Sequence, residues 1–142
     1  MSTEHTVTAT FAPTRWEETD IDPTETLARL TRASCSQTYD GGIKGRSTLE
    51  YLMVYNADGR ATFAGLERIV GSVAGREGSF VLQHDGVYDQ GVATMTLRVV
   101  AGAGTGDLAG LRGEGTFASG HAERYEVTLQ CRFNPPSPTP TQ

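Results

Sequence analysis

The feature that most constrains this chain is an alternation of apolar and polar residues with period two. Over 124–133, RYEVTLQCRF, Tyr125, Val127, Leu129, Cys131 and Phe133 share one face, while Arg124, Glu126, Thr128, Gln130 and Arg132 share the other. Successive side chains of a strand point to opposite sides, so ten residues of strict alternation specify a β-strand with one buried and one wet face. The pattern recurs near 5–12, 28–39, 45–56, 60–73, 78–88, 92–101 and 112–118. The 17 glycines fall mostly between such runs, as the punctuation of strands and turns does. Asn56-Ala-Asp-Gly59, Asp89-Gln-Gly91 and Asp40-Gly-Gly42 supply the residues that tolerate positive φ in tight hairpins. About eight strands are therefore expected to pair in succession as an antiparallel meander.

Little else competes with these strands. One short helical turn is the only helical candidate, over 23–30, where Pro23 follows Asp22. The start, 1–4, and the Pro-rich tail NPPSPTPTQ, 134–142, lack the pattern needed to pack, and both are expected to be disordered. One domain over 5–133 remains. With almost no helix to cover a sheet face, the apolar stripes are buried by stacking two sheets or by closing one. Long hairpins of similar length in simple succession favour closure, which also removes exposed edges. The expected fold is all-β, a single antiparallel meander barrel, with a sandwich as the alternative.

Charge and composition narrow the partners. A net charge of −5 and a pI near 5.1, without a Lys/Arg stripe, repel a phosphate backbone, so no nucleic-acid partner is expected. No apolar run approaches the roughly 20 residues of a membrane span, and no membrane partner is expected. The first residues show no basic stretch leading into an apolar core, which points to a cytoplasmic protein. Cys35 and Cys131 are far apart and belong to no CxxC pair, so they read as small apolar core residues; closure of the barrel would decide whether they become neighbours.

At 104–113, Gly104-Thr-Gly106-x-Leu108-x-Gly110-x-x-Gly113 resembles the glycine-rich signature of allene oxide cyclases and plant dirigent proteins, which are antiparallel barrels. Trp16-Glu-Glu18, Ser47-Thr-Leu-Glu-Tyr-Leu52, Phe63-Ala-Gly-Leu-Glu-Arg68 and Gly78-Ser-Phe-Val-Leu-Gln-His84 extend the likeness. With these the chain more closely resembles an uncharacterised bacterial domain-of-unknown-function family with an allene-oxide-cyclase-like barrel, over about 5–133. The resemblance implies the fold and carries no established activity. A phosphate loop at Gly102-x-Gly104-x-Gly106 is the competing reading. It fails because no helix follows to face the anion and no Gly-Lys-Ser/Thr closes the loop.

A site in such a barrel needs polar side chains that point inward among apolar ones. Three positions qualify by alternation. Glu67 shares a face with Phe63 and Ile69, His84 with Phe80 and Leu82, and Glu50 with Leu52 and Val54. Two carboxylates and an imidazole on consecutive strands suit proton transfer, with Glu67 or Glu50 as acid or base and His84 as partner. Tyr39, Met53, Tyr55 and Phe63 are candidate walls of a ligand cavity. Structural roles account for the same residues: an arginine partner for Glu67, a hydrogen bond for His84, and solvent for Glu50, whose strand is apolar on both sides. Trp16 reads as a core plug or a cap on one end of the barrel. His5, His84 and His121 form no HxH or HExxH spacing and no serine sits in a GxSxG elbow, so neither a metal nor a catalytic serine is expected. No cofactor is expected.

These residues support a barrel that binds a small hydrophobic molecule, or alternatively an isomerase or cyclase built on the interior carboxylate and histidine. A third reading is an oligomeric structural module. The run 49–55, LEYLMVY, has apolar residues on both faces, so a homo-oligomer is expected with either function.

Overall fold

The computed structural model describes residues 3–21, 28–119 and 124–133 of the chain. The alternating runs become β1 (Thr3–Asp20), β2 (Arg29–Gly41), β3 (Ile43–Tyr55), β4 (Ala61–Val73), β5 (Arg76–Asp89), β6 (Val92–Val99), β7 (Thr105–Gly106), β8 (Leu111–Ser119) and β9 (Tyr125–Phe133). Each long strand pairs antiparallel with the next, and β1 also pairs with β9, so the sheet closes on itself. The protein is a closed antiparallel barrel, as the alternation and hairpin spacing predict. The two-residue β7 lies outside this ring and pairs with the start of β5.

Hairpin chemistry explains the order. Ala74 and Gly75, between β4 and β5, have φ of 51° and 81°; Gln90 and Gly91, between β5 and β6, have 51° and 82°. Both turns are left-handed at their two central residues, the twist that matches right-handed strands. β1 runs on to Asp20, well past the 5–12 expected for it, because a shift in register between Pro13 and Arg15 lets the strand bend and continue pairing with β2. The helical turn expected over 23–30 is corrected at its end: Arg29 and Leu30 belong to β2, where they pair with Tyr55 and Val54. Residues 22–27 of that turn lie outside the described residues, as do 1–2 and the tail from 134.

A row of glycines crosses three strands, with Gly45 opposite Gly71 and Gly71 opposite Gly78. A Cβ on Gly71 would collide with the Lys44 carbonyl, and one on Gly45 with that of Val70. Neighbouring backbones approach here more closely than any side chain permits, which lets the sheet curl tightly.

The interior divides along the barrel axis. At the end holding the β2–β3 and β4–β5 turns, Ile43, Ile69, Val73, Phe80, Leu108 and Leu129 are sealed from solvent in one apolar cluster. Burying each such side chain contributes ~1.5–3 kcal/mol at most. Arg76 caps this end, its guanidinium 3.9 Å from the Phe133 ring centroid. Cys35 and Cys131 are buried and free, on strands separated by β1, and they pack in different clusters. Outside the barrel, Leu52, Leu66, Val70 and Val87 are exposed. Among the described residues no helix is long and apolar enough to cross a membrane.

Candidate functional site

Toward the opposite end the barrel is hollow. A cavity of about 310 Å³ reaches the end where Tyr55, Ala61, Tyr88, Ala93 and Tyr125 stand. Half of its lining side chains are Phe, Tyr or Trp, and none is Lys, Arg, Asp or Glu. Trp16 and Tyr88 line it while remaining 49% and 39% exposed, which marks the mouth. The four walls read from the sequence, Tyr39, Met53, Tyr55 and Phe63, all lie in this lining.

One acidic side chain stands behind the cavity wall. Glu67, on β4, is fully buried. Its Oε2 accepts hydrogen bonds from the Tyr39 hydroxyl at 2.7 Å and the Ser47 hydroxyl at 2.6 Å. Its Oε1 is 2.9 Å from His84 Nε2, and His84 Nδ1 is 3.0 Å from the Tyr51 hydroxyl. With two hydroxyl donors on Oε2, Oε1 is the carboxyl oxygen that meets the imidazole. The result is a satisfied buried network that runs Tyr51, His84, Glu67 and then Tyr39 and Ser47, the arrangement that makes an interior carboxylate tolerable. Tyr51, His84 and Tyr39 line the cavity, whereas Glu67 does not. Burial, followed by the field of Glu67, pushes the phenol pKa of both Tyr39 and Tyr51 well up, so both are neutral hydroxyls across the physiological range.

Close packing across β4 orders this network. Gly65 lies opposite both Tyr51 and His84. Its missing side chain leaves room for the Tyr51 ring, which meets His84 edge-on with centroids 5.5 Å apart and Phe63 at 5.1 Å. A Cβ on Gly65 would sit 2.5 Å from Tyr51 Cδ1.

Glu50 does not join the group. It faces outward and pairs with Arg32, whose Nε is 3.1 Å from Glu50 Oε1. That surface pair holds its carboxyl below the usual range. The interior position assigned to Glu50 is therefore corrected. Glu67 and His84 do meet, and the partner of Glu67 is the histidine with two hydroxyls, not an arginine. His84 also lies well inside β5, which continues to Asp89.

The mouth carries a second polar group. Glu18 accepts from the Tyr55 hydroxyl at 2.6 Å, the Thr31 hydroxyl at 2.7 Å and Trp16 Nε1 at 3.2 Å. Desolvation pushes its carboxyl up, but these three bonds and the charge of Arg29 outweigh it and hold the pKa below the ordinary value. Trp16 is thereby fixed at the barrel end as a half-exposed cap.

Sequence reasoning passed over Tyr51, Ser47 and Gln37. Gln37, on β2, lines the cavity at 8% exposure, and its Oε1 is buried with no hydrogen-bond partner. Among the described residues no group of three or more His, Cys, Asp or Glu is placed to hold a metal ion.

A closed antiparallel barrel with an apolar floor and an aromatic cavity at the other end defines a small β-barrel protein of the kind whose interior has room for one small molecule. The chain belongs to the DUF3224 family, proteins of unknown function, whose profile matches residues 7–131. It is similar to a solved protein with unknown function from that family in Shewanella oneidensis MR-1. The two share 30% identity over 95% of this chain and 99% of that one, with a TM-score of 0.76. No curated protein matches the chain.

Proposed function

We propose that the barrel binds a small hydrophobic molecule in its cavity. The observation that carries this reading is the lining: a space of about 310 Å³ walled mainly by aromatic and aliphatic side chains, with a few fixed polar groups. Pockets that bury small ligands start at about this size and have this composition. A core that served stability alone would fill such a space, because each void forfeits packing energy.

N-Phenyl-1-naphthylamine, whose emission rises on leaving water, tests the reading. Titration should show saturable binding of one probe per chain, and Phe63→Trp, which fills the cavity, should weaken it at least tenfold. Emission that rises without saturating, or that Phe63→Trp leaves unchanged, would exclude the cavity as the site.

A second reading, proton transfer on the bound molecule, rests on the Tyr51–His84–Glu67 relay. The groups presented to the cavity are the Tyr51 hydroxyl and the His84 ring, and Glu67 behind them is a positioning residue. In D₂O the protein should accelerate α-hydrogen exchange of 2-tetralone above the buffer rate, and His84→Gln should remove the acceleration while naphthylamine binding persists. Exchange at the buffer rate leaves binding alone.

A further inference from the structure

Gln37 is the polar group of the cavity without an assignment. The other buried polar side chains along the inner wall are committed. Tyr39 donates to Glu67, Tyr51 bonds His84, and both His84 nitrogens are occupied. At the mouth, Tyr55 and Trp16 donate to Glu18. Gln37 alone, among the buried side chains that line the cavity, has a carbonyl oxygen with no donor. A buried acceptor left unsatisfied is costly, and native proteins keep few of them.

Its neighbours do not offer the missing donor. Gln37 lies opposite Pro13 on one side, which has no N–H, and opposite Ser47 on the other. The Ser47 hydroxyl already donates to Glu67. The terminal torsion of a glutamine is broad and soft, so the amide turns readily to present its oxygen to a molecule seated against the wall.

We infer that Gln37 is the specificity-determining residue of the cavity and that the ligand is a neutral, flat, hydrophobic molecule carrying one O–H or N–H donor, such as a phenol or a ring amide. This rests on the binding function proposed above. Neutrality follows from the surroundings: no lysine or arginine lines the cavity to balance an anion, and the Glu67 carboxyl lies just behind Tyr39 and His84. A carboxylate ligand would leave water for an apolar wall with no cation to meet it.

Competition against N-phenyl-1-naphthylamine separates the contributions, using naphthalene, 2-naphthol, 2-methoxynaphthalene and 2-naphthoate. One hydrogen bond made in place of an orphan acceptor should make 2-naphthol about fivefold tighter than naphthalene. Blocking the donor in 2-methoxynaphthalene should cancel the gain, and 2-naphthoate should bind weakest. Gln37→Leu should reduce 2-naphthol to the naphthalene level without weakening naphthalene, and Gln37→Met repeats the test with a more adaptable chain. A preference for 2-naphthol that survives both substitutions, or equal affinity for 2-naphthol and naphthalene in the wild-type protein, overturns the assignment to Gln37 and leaves the cavity reading standing. A protein that binds none of these compounds overturns both.

Discussion

Several ionisable groups, at the site and in the packed interior, are kept in one state chiefly by burial. Tyr39 and Tyr51 have phenol pKa values raised above the ordinary 10.0 by desolvation and by Glu67. Tyr55 at the mouth is pushed up to about 12, by burial and its bond to Glu18. Cys35 and Cys131 rise from 9.0 to about 12 and about 11, chiefly by burial. In each case the folded protein holds a proton at a pH where the unfolded chain has released it. The unfolded state then binds fewer protons, so the stability from these groups is intact below about pH 9 and declines as pH rises through the ordinary thiol and phenol values. Denaturant midpoints should therefore be level near neutrality and fall above pH 9. Phenolate absorbance from Tyr39 and Tyr51 should appear only as the β-sheet circular dichroism is lost. Ionisation of both in the folded protein near pH 10 would show that neither is sealed in the network.

At the level of strands, the fold was legible because alternation and turn residues carry it, and the site was legible in part. Glu67 and His84 read as inward because their own strands alternate cleanly through Phe63, Ile69, Phe80 and Leu82. Glu50 misled because β3 is apolar on both sides, with Leu49, Tyr51 and Met53 inward and Leu52 outward, so alternation alone did not choose a face. The deciding signal was in the neighbouring turn. Asn56–Gly59 pairs Tyr55 with Ala61, which sets Leu49, not Glu50, opposite Glu67. The same register places Tyr51 opposite Gly65, and the next hairpin places Gly65 opposite His84. Tyr51 was thus within reach of register counting but invisible to single-strand reading. Gln37 gave no such signal, since its importance lies in a missing partner. β4 accordingly tolerates no side chain at Gly65. Gly65→Ala should cost about 1–3 kcal/mol through overpacking against Tyr51 and the Glu50 carbonyl. It should also push Tyr51 off His84 Nδ1, which NMR would detect as a change in the His84 ring ¹⁵N shifts. Unchanged shifts with full stability would mean that the close approach is not required.

Across the whole molecule the two ends of the barrel do different work, and this division is testable. Ile43, Val73, Phe80, Leu108 and Leu111 fill the floor, and none of them lines the cavity. Leu108 comes from the connection between β6 and β8, which is held against β5 by Asp107 N–H donating to the Glu77 carbonyl at 2.9 Å. A fully buried leucine truncated to alanine loses both its transfer energy and its packing, so Leu108→Ala should cost about 2–4 kcal/mol. Leu108 does not itself line the cavity, although its apolar cluster continues into Tyr39, Leu97 and Phe117 of the wall; naphthylamine affinity should stay within about twofold, as expected where the truncated side chain and the probe do not touch. Met95 is the complementary case. It is only partly buried, yet it lines the cavity and packs against both apolar clusters, the one that includes the floor and the one formed by β2, β3 and β4. Met95→Ala should cost less stability and change probe affinity more, since it reshapes the wall that the probe touches. Chemical denaturation and probe titration on the same samples decide the matter. If Leu108→Ala weakens binding as much as it destabilises the fold, the floor and the cavity form one cooperative interior, and the hollow cannot be treated as a site separable from the core that supports it.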